Sequence, residues 1–120
     1  MTMESDLVAL LQAQCPRVYA DVAPISTARP YVTYQAIGGR PLRWLNGTPS
    51  DRRHTIVQVN VWADSRAGAL ELVRQIETAL CDGAAPFIAR PEGEPVSDVA
   101  DDIVPARYGS IQDFSIYSLR

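Results

Sequence analysis

The chain has 120 residues, 47% hydrophobic and 21% charged, with a net charge of −3. That length fits one domain and excludes a (β/α)₈ barrel, which needs about 250 residues. All eleven basic residues are Arg, which excludes Schiff-base lysines and a P-loop lysine. The acidic balance excludes a molecule that grips nucleic acid over its whole surface. Two cysteines, Cys15 and Cys81, are too few for a disulfide scaffold and read as reduced packing residues at helix ends. The acidic start lacks a signal-peptide pattern, and no apolar run reaches the roughly 20 residues that span a bilayer.

The first helix is predicted to start at Glu4 or Ser5. Leu7, Leu10, Leu11 and Gln14 share one face of it, and Val8 flanks them. Pro16 stops it at about Cys15, because the residue before proline avoids the helical region. Residues 16–30, with Pro24 and Pro30, read as an irregular connection. Tyr31–Ile37 is rich in β-branched and aromatic residues and reads as a strand ended by Gly38 and Gly39. A long polar excursion follows, with Leu42–Leu45 as a candidate short strand and Asn46-Gly47-Thr48 as a turn. Thr55–Ala63 alternates: Val57, Val59, Val61 and Ala63 form an aliphatic core row.

Asp64 or Ser65 caps a second helix running to about Cys81. Ala69, Leu72, Val73, Ile76, Ala79 and Leu80 form its buried stripe. Gly83 is the expected left-handed cap. Phe87–Ala89 is a candidate brief strand. The C-terminal part reads as a hairpin, Ile103–Tyr108 and Ile111–Leu119 around a turn at Gly109-Ser110. The fold class is α+β: a mainly antiparallel or mixed sheet of four to five strands with two helices packed on one face. The order is α-β-(β)-β-α-(β)-β-β, in a single domain over residues 1–120.

The sequence offers little chemistry. The single histidine, His54, has no G-x-S-x-G elbow or cysteine motif to work with, so a structural role outweighs a catalytic one. One His and two distant Cys do not make a zinc site. The acidic residues after Pro91 lack a calcium-loop pattern. Gly38-Gly39 does not open a helix and is no phosphate cradle. No catalytic, cofactor-binding or metal-ligating residue is assigned, and no cofactor is expected.

Charge segregation stands out instead. Between Arg40 and His54 lie four arginines, Arg40, Arg43, Arg52 and Arg53, against one acid, Asp51. Between Pro91 and Ala106 lie five acids, Glu92, Glu94, Asp98, Asp101 and Asp102, and no base. These are two solvated loops, or two complementary patches that meet in a head-to-tail contact between subunits or face charged partners. Trp44 is an interface anchor in the basic loop or a side chain folded back on its own sheet. These ten residues are the candidate protein interface.

Three stretches carry a family resemblance: Arg29-Pro30-Tyr31-Val32-Thr33-Tyr34-Gln35, Gln58-Val59-Asn60-Val61-Trp62-Ala63-Asp64, and Asp113-Phe114-Ser115-Ile116-Tyr117. With Val22-Ala23-Pro24 and Leu45-Asn46-Gly47, this ordered set resembles the tail-completion, or tail-terminator, proteins of long-tailed bacteriophages and prophages. The resemblance spans roughly Leu7 to Leu119 and is weakest over residues 84–104. It implies a structural, non-enzymatic virion protein with helices packed on a sheet. Such proteins form a ring, usually hexameric, on the head-proximal end of the tail tube. The partners implied are copies of the chain itself, the tail tube protein and a head-completion or connector protein. DNA passes through the lumen without specific binding, and no membrane is involved. The implied location is the host cytoplasm during assembly, then the virion tail. The competing reading is a small α+β binding module, or an enzyme whose site is completed between subunits.

Overall fold

The computed structural model describes residues 2–83, 85–101 and 105–119. Two helices and six strands follow the order α1 (Met3–Gln14), β1 (Val18–Ala20), β2 (Tyr31–Gly38), β3 (Arg52–Ala63), α2 (Arg66–Cys81), β4 (Ile88–Pro91), β5 (Val96–Ala100), β6 (Arg107–Leu119). The fold is α+β with an open, mostly antiparallel sheet. Among the described strands only β1 and β2 pair in parallel. The spatial order is β1-β2-β3-β6, with β4 and β5 sharing the far side of β6.

Both helices are fixed by local chemistry. The α1 cap is Thr2, ahead of the expected start. The Thr2 hydroxyl accepts from the Ser5 N–H and the Ser5 hydroxyl accepts from the Thr2 N–H, each at 3.1 Å. This reciprocal pair satisfies two otherwise unpaired donors. The Ser65 hydroxyl caps α2 by accepting from the Gly68 N–H at 3.0 Å. Gly83 has no positive φ, contrary to expectation; Asp82 ends α2 in the right-handed region. A Cβ on Gly83 would lie 2.8 Å from the Ala79 carbonyl oxygen, so close approach to the last turn is what favours glycine.

The core lies between the helices and one face of the sheet. Leu7 and Leu11 of α1 and Ala69, Leu72, Val73, Ile76 and Leu80 of α2 cover Val32, Tyr34, Val57, Val59, Val61, Phe114 and Ile116. Each fully buried aliphatic or aromatic side chain contributes roughly 1.5–3 kcal/mol. Polar residues enter this layer too: Ser110, buried and in register with Val61, and Gln112, whose amide nitrogen donates to Glu77 at 2.6 Å and to the Gly93 carbonyl at 2.9 Å. Both cysteines are free thiols, Cys15 buried and Cys81 half-buried.

Four more expectations change. Residues 16–30 are not wholly irregular, because Val18–Ala20 adds β1 to the edge of β2. Leu42–Leu45 makes no strand, only a bridge from Arg43 to Pro49. The brief strand near Phe87 is β4, shifted to Ile88–Pro91, with Pro91 at its end beside the sheet edge. The C-terminal hairpin is replaced by one unbroken strand. β6 runs through Gly109 and Ser110 and pairs with all of β3, from Ala63–Tyr108 to Arg52–Leu119. Its antiparallel partners on the other side are β5, along Arg107–Ile111, and β4, along Phe114–Tyr117. Ile103 and Val104, placed in the first arm of that hairpin, lie outside the described residues.

The long β3–β6 ladder makes the molecule a rod of 55 × 26 × 25 Å. The helices cover one face of the rod. The other face carries Tyr31, Thr33, Gln58, Asn60, Trp62, Arg107, Asp113, Ser115 and Tyr117, paired in register across β2, β3 and β6.

Candidate protein-interaction site

The basic segment forms an arm between β2 and β3 at one end of the rod. Its root is held by Gly39 and His54. Gly39 has φ 144°, and a Cβ there would collide with the His54 carbonyl. The Arg40 N–H donates to His54 Nδ1 at 2.9 Å. Further out, the arm is a built turn. The Trp44 N–H donates to the Thr48 carbonyl and the Ser50 N–H to the Leu42 carbonyl, both at 2.9 Å. The Arg43 guanidinium reaches the Gly47 carbonyl at 2.9 Å. Asn46 Oδ1 accepts from the Thr48 N–H at 3.1 Å and from its hydroxyl at 2.7 Å, which confirms the turn at Asn46-Gly47-Thr48. Trp44 does not fold back on its own sheet: it is 62% exposed, and Leu45 beside it is fully exposed. Arg40, Arg43, Arg52 and Arg53 are exposed. The one ion pair among the described residues, Arg29–Asp64 at 3.4 Å, lies elsewhere.

His54 anchors this arm rather than a reaction. Its ring stacks on Tyr117, with centroids 4.6 Å apart. Its Nε2 bonds to the Ser115 hydroxyl. Because Nδ1 accepts the Arg40 N–H, the neutral ring carries its proton on Nε2 and donates it to Ser115. A general base must instead offer that nitrogen's lone pair to the hydroxyl. Ser115 is therefore not activated. No group of three or more His, Cys, Asp or Glu that could hold a metal ion occurs among the described residues.

The acidic segment lies along the opposite edge of the sheet and extends toward the other end of the rod. The Glu92 N–H donates to the Asp113 carbonyl at 2.9 Å, level with the middle of the ladder. Asp98 pairs in register with Gly109 near the far end. Glu92, Glu94, Asp98 and Asp101 are exposed; Asp102 lies outside the described residues. Val96 and Val99 add exposed apolar surface to β5. Charges on an edge strand deter uncontrolled pairing. Asp98 and Arg52 are ten residues apart along β6, about 34 Å at 3.4 Å per residue. The two charged patches therefore do not neutralise one another within a chain.

A third feature had no clear signal in the sequence. At the same end as Asp98, the open sheet face carries a cavity of about 590 Å³ under the loop of residues 21–29. The Arg107 guanidinium lies 4.5 Å over the Trp62 ring, a cation–π contact, and donates to the Tyr31 hydroxyl at 2.8 Å. Arg29 fixes the loop by donating to the Ala106 and Pro105 carbonyls at 2.8 and 3.1 Å. Val22 and Ile25 stand out from this loop, Ile25 being 98% exposed. Arg29, Tyr31 and Trp62 fall within the stretches that carry the family resemblance, but nothing in the sequence pattern joins them to Arg107.

Among the described residues two pKa values are displaced, and neither belongs to a reactive constellation. Burial, then a hydrogen bond to Glu4, raises the Tyr34 phenol. Burial, then the Glu77 charge, raises the Cys81 thiol, which makes it a poorer nucleophile at neutral pH.

A small α+β chain whose exposed features are an arginine arm, an acidic edge and an apolar cavity, with its only histidine locked as a strut, has the character of an assembly component. The family model Tail completion protein gp17 matches residues 2–101. The chain belongs to this phage tail-completion family, a structural rather than enzymatic one, and its place is in the virion tail. None of the curated proteins matches it. No helix among the described residues is long and apolar enough to cross a membrane.

Proposed function

We propose that this chain forms a homo-hexameric ring on the head-proximal end of the tail tube, stops tube growth there, and provides the surface to which a head-completion or connector protein attaches. The observation that carries the reading is the polarity of the rod. A basic arm at one end and acids toward the other, on different patches, make a heterologous contact, and such contacts generate rings when the rotation closes. The tail-completion family supports a role at the tail. The net charge of −3 suits a ring through which genome DNA slides, since a basic lumen would hold phosphates. Assembly takes place in the cytoplasm of the bacterial host, from a phage or prophage genome.

The test is electron microscopy of purified protein mixed with tail tubes. The expected image is a ring-shaped cap on one end of each tube. Binding along the tube wall, or no binding, contradicts the proposal.

A further inference from the structure

We infer that the arm tip of one copy, Trp44 and Leu45, seats in the cavity beneath the 21–29 loop of a neighbouring copy. This inference rests on the ring proposed above and names the surfaces that close it. The tip and the cavity lie at opposite ends of the rod. Trp62, in the cavity wall, is ten residues along β3 from Arg52, at the base of the arm, about 34 Å away. A chain cannot fill its own cavity with its own arm.

The two surfaces match in shape and chemistry. Trp44 and Leu45 are adjacent exposed apolar side chains on a turn whose backbone is already hydrogen-bonded. A preformed tip loses little conformational freedom on docking. The cavity, about 590 Å³, falls within the usual 300–1,000 Å³ of binding clefts and has room for an indole and a leucine side chain. Val22, Pro24 and Ile25 give it an apolar outer wall, and Tyr31 and Trp62 an aromatic floor.

The charges match as well. Arg43 flanks Trp44 on the tip. Asp21 lines the cavity, Asp64 is at its margin bound to Arg29, and Asp98 pairs with Gly109, itself paired with Trp62. Both cations of the lining are already engaged, Arg107 by Trp62 and Tyr31, and Arg29 by Asp64 and the Pro105 and Ala106 carbonyls. A basic apolar knob thus meets an apolar hole with an acidic margin. Because the knob and hole differ, every copy can donate one arm and receive another.

Site-directed cross-linking tests this. In a Cys81→Ala background, one preparation carries Leu45→Cys, a second Ile25→Cys, and a control Ala67→Cys on the exposed side of α2. Pairs are mixed with tail tubes and treated with a short bis-maleimide. The expected product is a linked dimer from Leu45→Cys with Ile25→Cys and none from Leu45→Cys with Ala67→Cys. Truncating the tip, Trp44→Ala with Leu45→Ala, should leave thermal stability unchanged and weaken capping by at least about tenfold. If caps form but the Leu45→Cys and Ile25→Cys chains do not link, or the control links equally, the docking is wrong while the ring stands. Linking of Leu45→Cys to the tube protein instead also overturns it. If neither caps nor links form, both readings fall.

Discussion

Replacing Gly109 by Ala tests the least expected part of the fold, the uninterrupted β6. A Cβ at this position would lie 2.7 Å from Trp62 Cζ3, 2.9 Å from Cε3 and 3.0 Å from Cη2. Favourable carbon–carbon contact is about 3.5–4.0 Å, so the indole must move. It is not free to do so, because Arg107 rests 4.5 Å over its ring. Overpacking of this kind costs about 1–3 kcal/mol. The lower backbone entropy of alanine in the unfolded chain returns about 0.4–1 kcal/mol. The net expectation is a loss of about 1–2 kcal/mol, or a melting temperature lower by roughly 3–10 °C. Thermal denaturation followed by circular dichroism reads this directly. Gly93→Ala, where a Cβ meets open space, is the control and should change little. The decisive comparison is Gly109→Ala in a Trp62→Ala background, where the penalty should vanish. An undiminished penalty there would refute the packing explanation and return Gly109 to the role of a turn residue.

Phe114→Ala should cost about 3–5 kcal/mol in chemical denaturation, because its wholly buried ring lies beneath the helices and leaves a cavity; a cost below 1 kcal/mol would contradict the described core. Tyr34 has a raised pKa in the folded state, so the folded chain holds that proton more tightly than the unfolded one. Its contribution is fully present below the unfolded value near 10 and is lost as pH rises through the folded value. Tyr34→Phe should flatten this alkaline loss in stability measured against pH, and an unchanged slope would count against the burial described. His54→Ala removes the acceptor of the Arg40 N–H. Hydrogen exchange at Arg40 should accelerate while Val57 and Val59 stay protected, at a stability cost of about 0.5–1.5 kcal/mol; unchanged exchange at Arg40 would mean that His54 does not hold the arm.

Residues with a strict period could be read from the sequence. The Val57-Val59-Val61-Ala63 row and the α2 stripe face the core as expected, except that Ala79 is only half-buried at the stripe's margin, because each repeats over three or more turns or strand steps. Short or locally ambiguous pieces could not. β1 is three residues long and exists because β2 offers it an edge, a long-range cause that no local pattern records. Gly109-Ser110 has the composition of a turn, but the glycine serves the Trp62 ring beside it. That misreading hid both the length of β6 and its pairing with β5. The arginines and acids of the candidate interface were visible as clusters of one sign. Their placement toward opposite ends of the rod was not, since it follows from the full β3–β6 register. The cavity was invisible for a similar reason: Tyr31, Trp62 and Arg107 come from three strands.

Charge reversal at both ends, tested separately and together, addresses the central claim that function is assembly through unlike surfaces. One chain carries Arg43→Glu, Arg52→Glu and Arg53→Glu; the other carries Glu94→Lys, Asp98→Lys and Asp101→Lys. All six positions are exposed, so both chains should fold. Each chain alone should fail to cap tail tubes in electron micrographs. An equal mixture should cap them, because each reversed arm then meets a reversed edge in an alternating ring. Capping by either chain alone, or no rescue on mixing, would contradict the account.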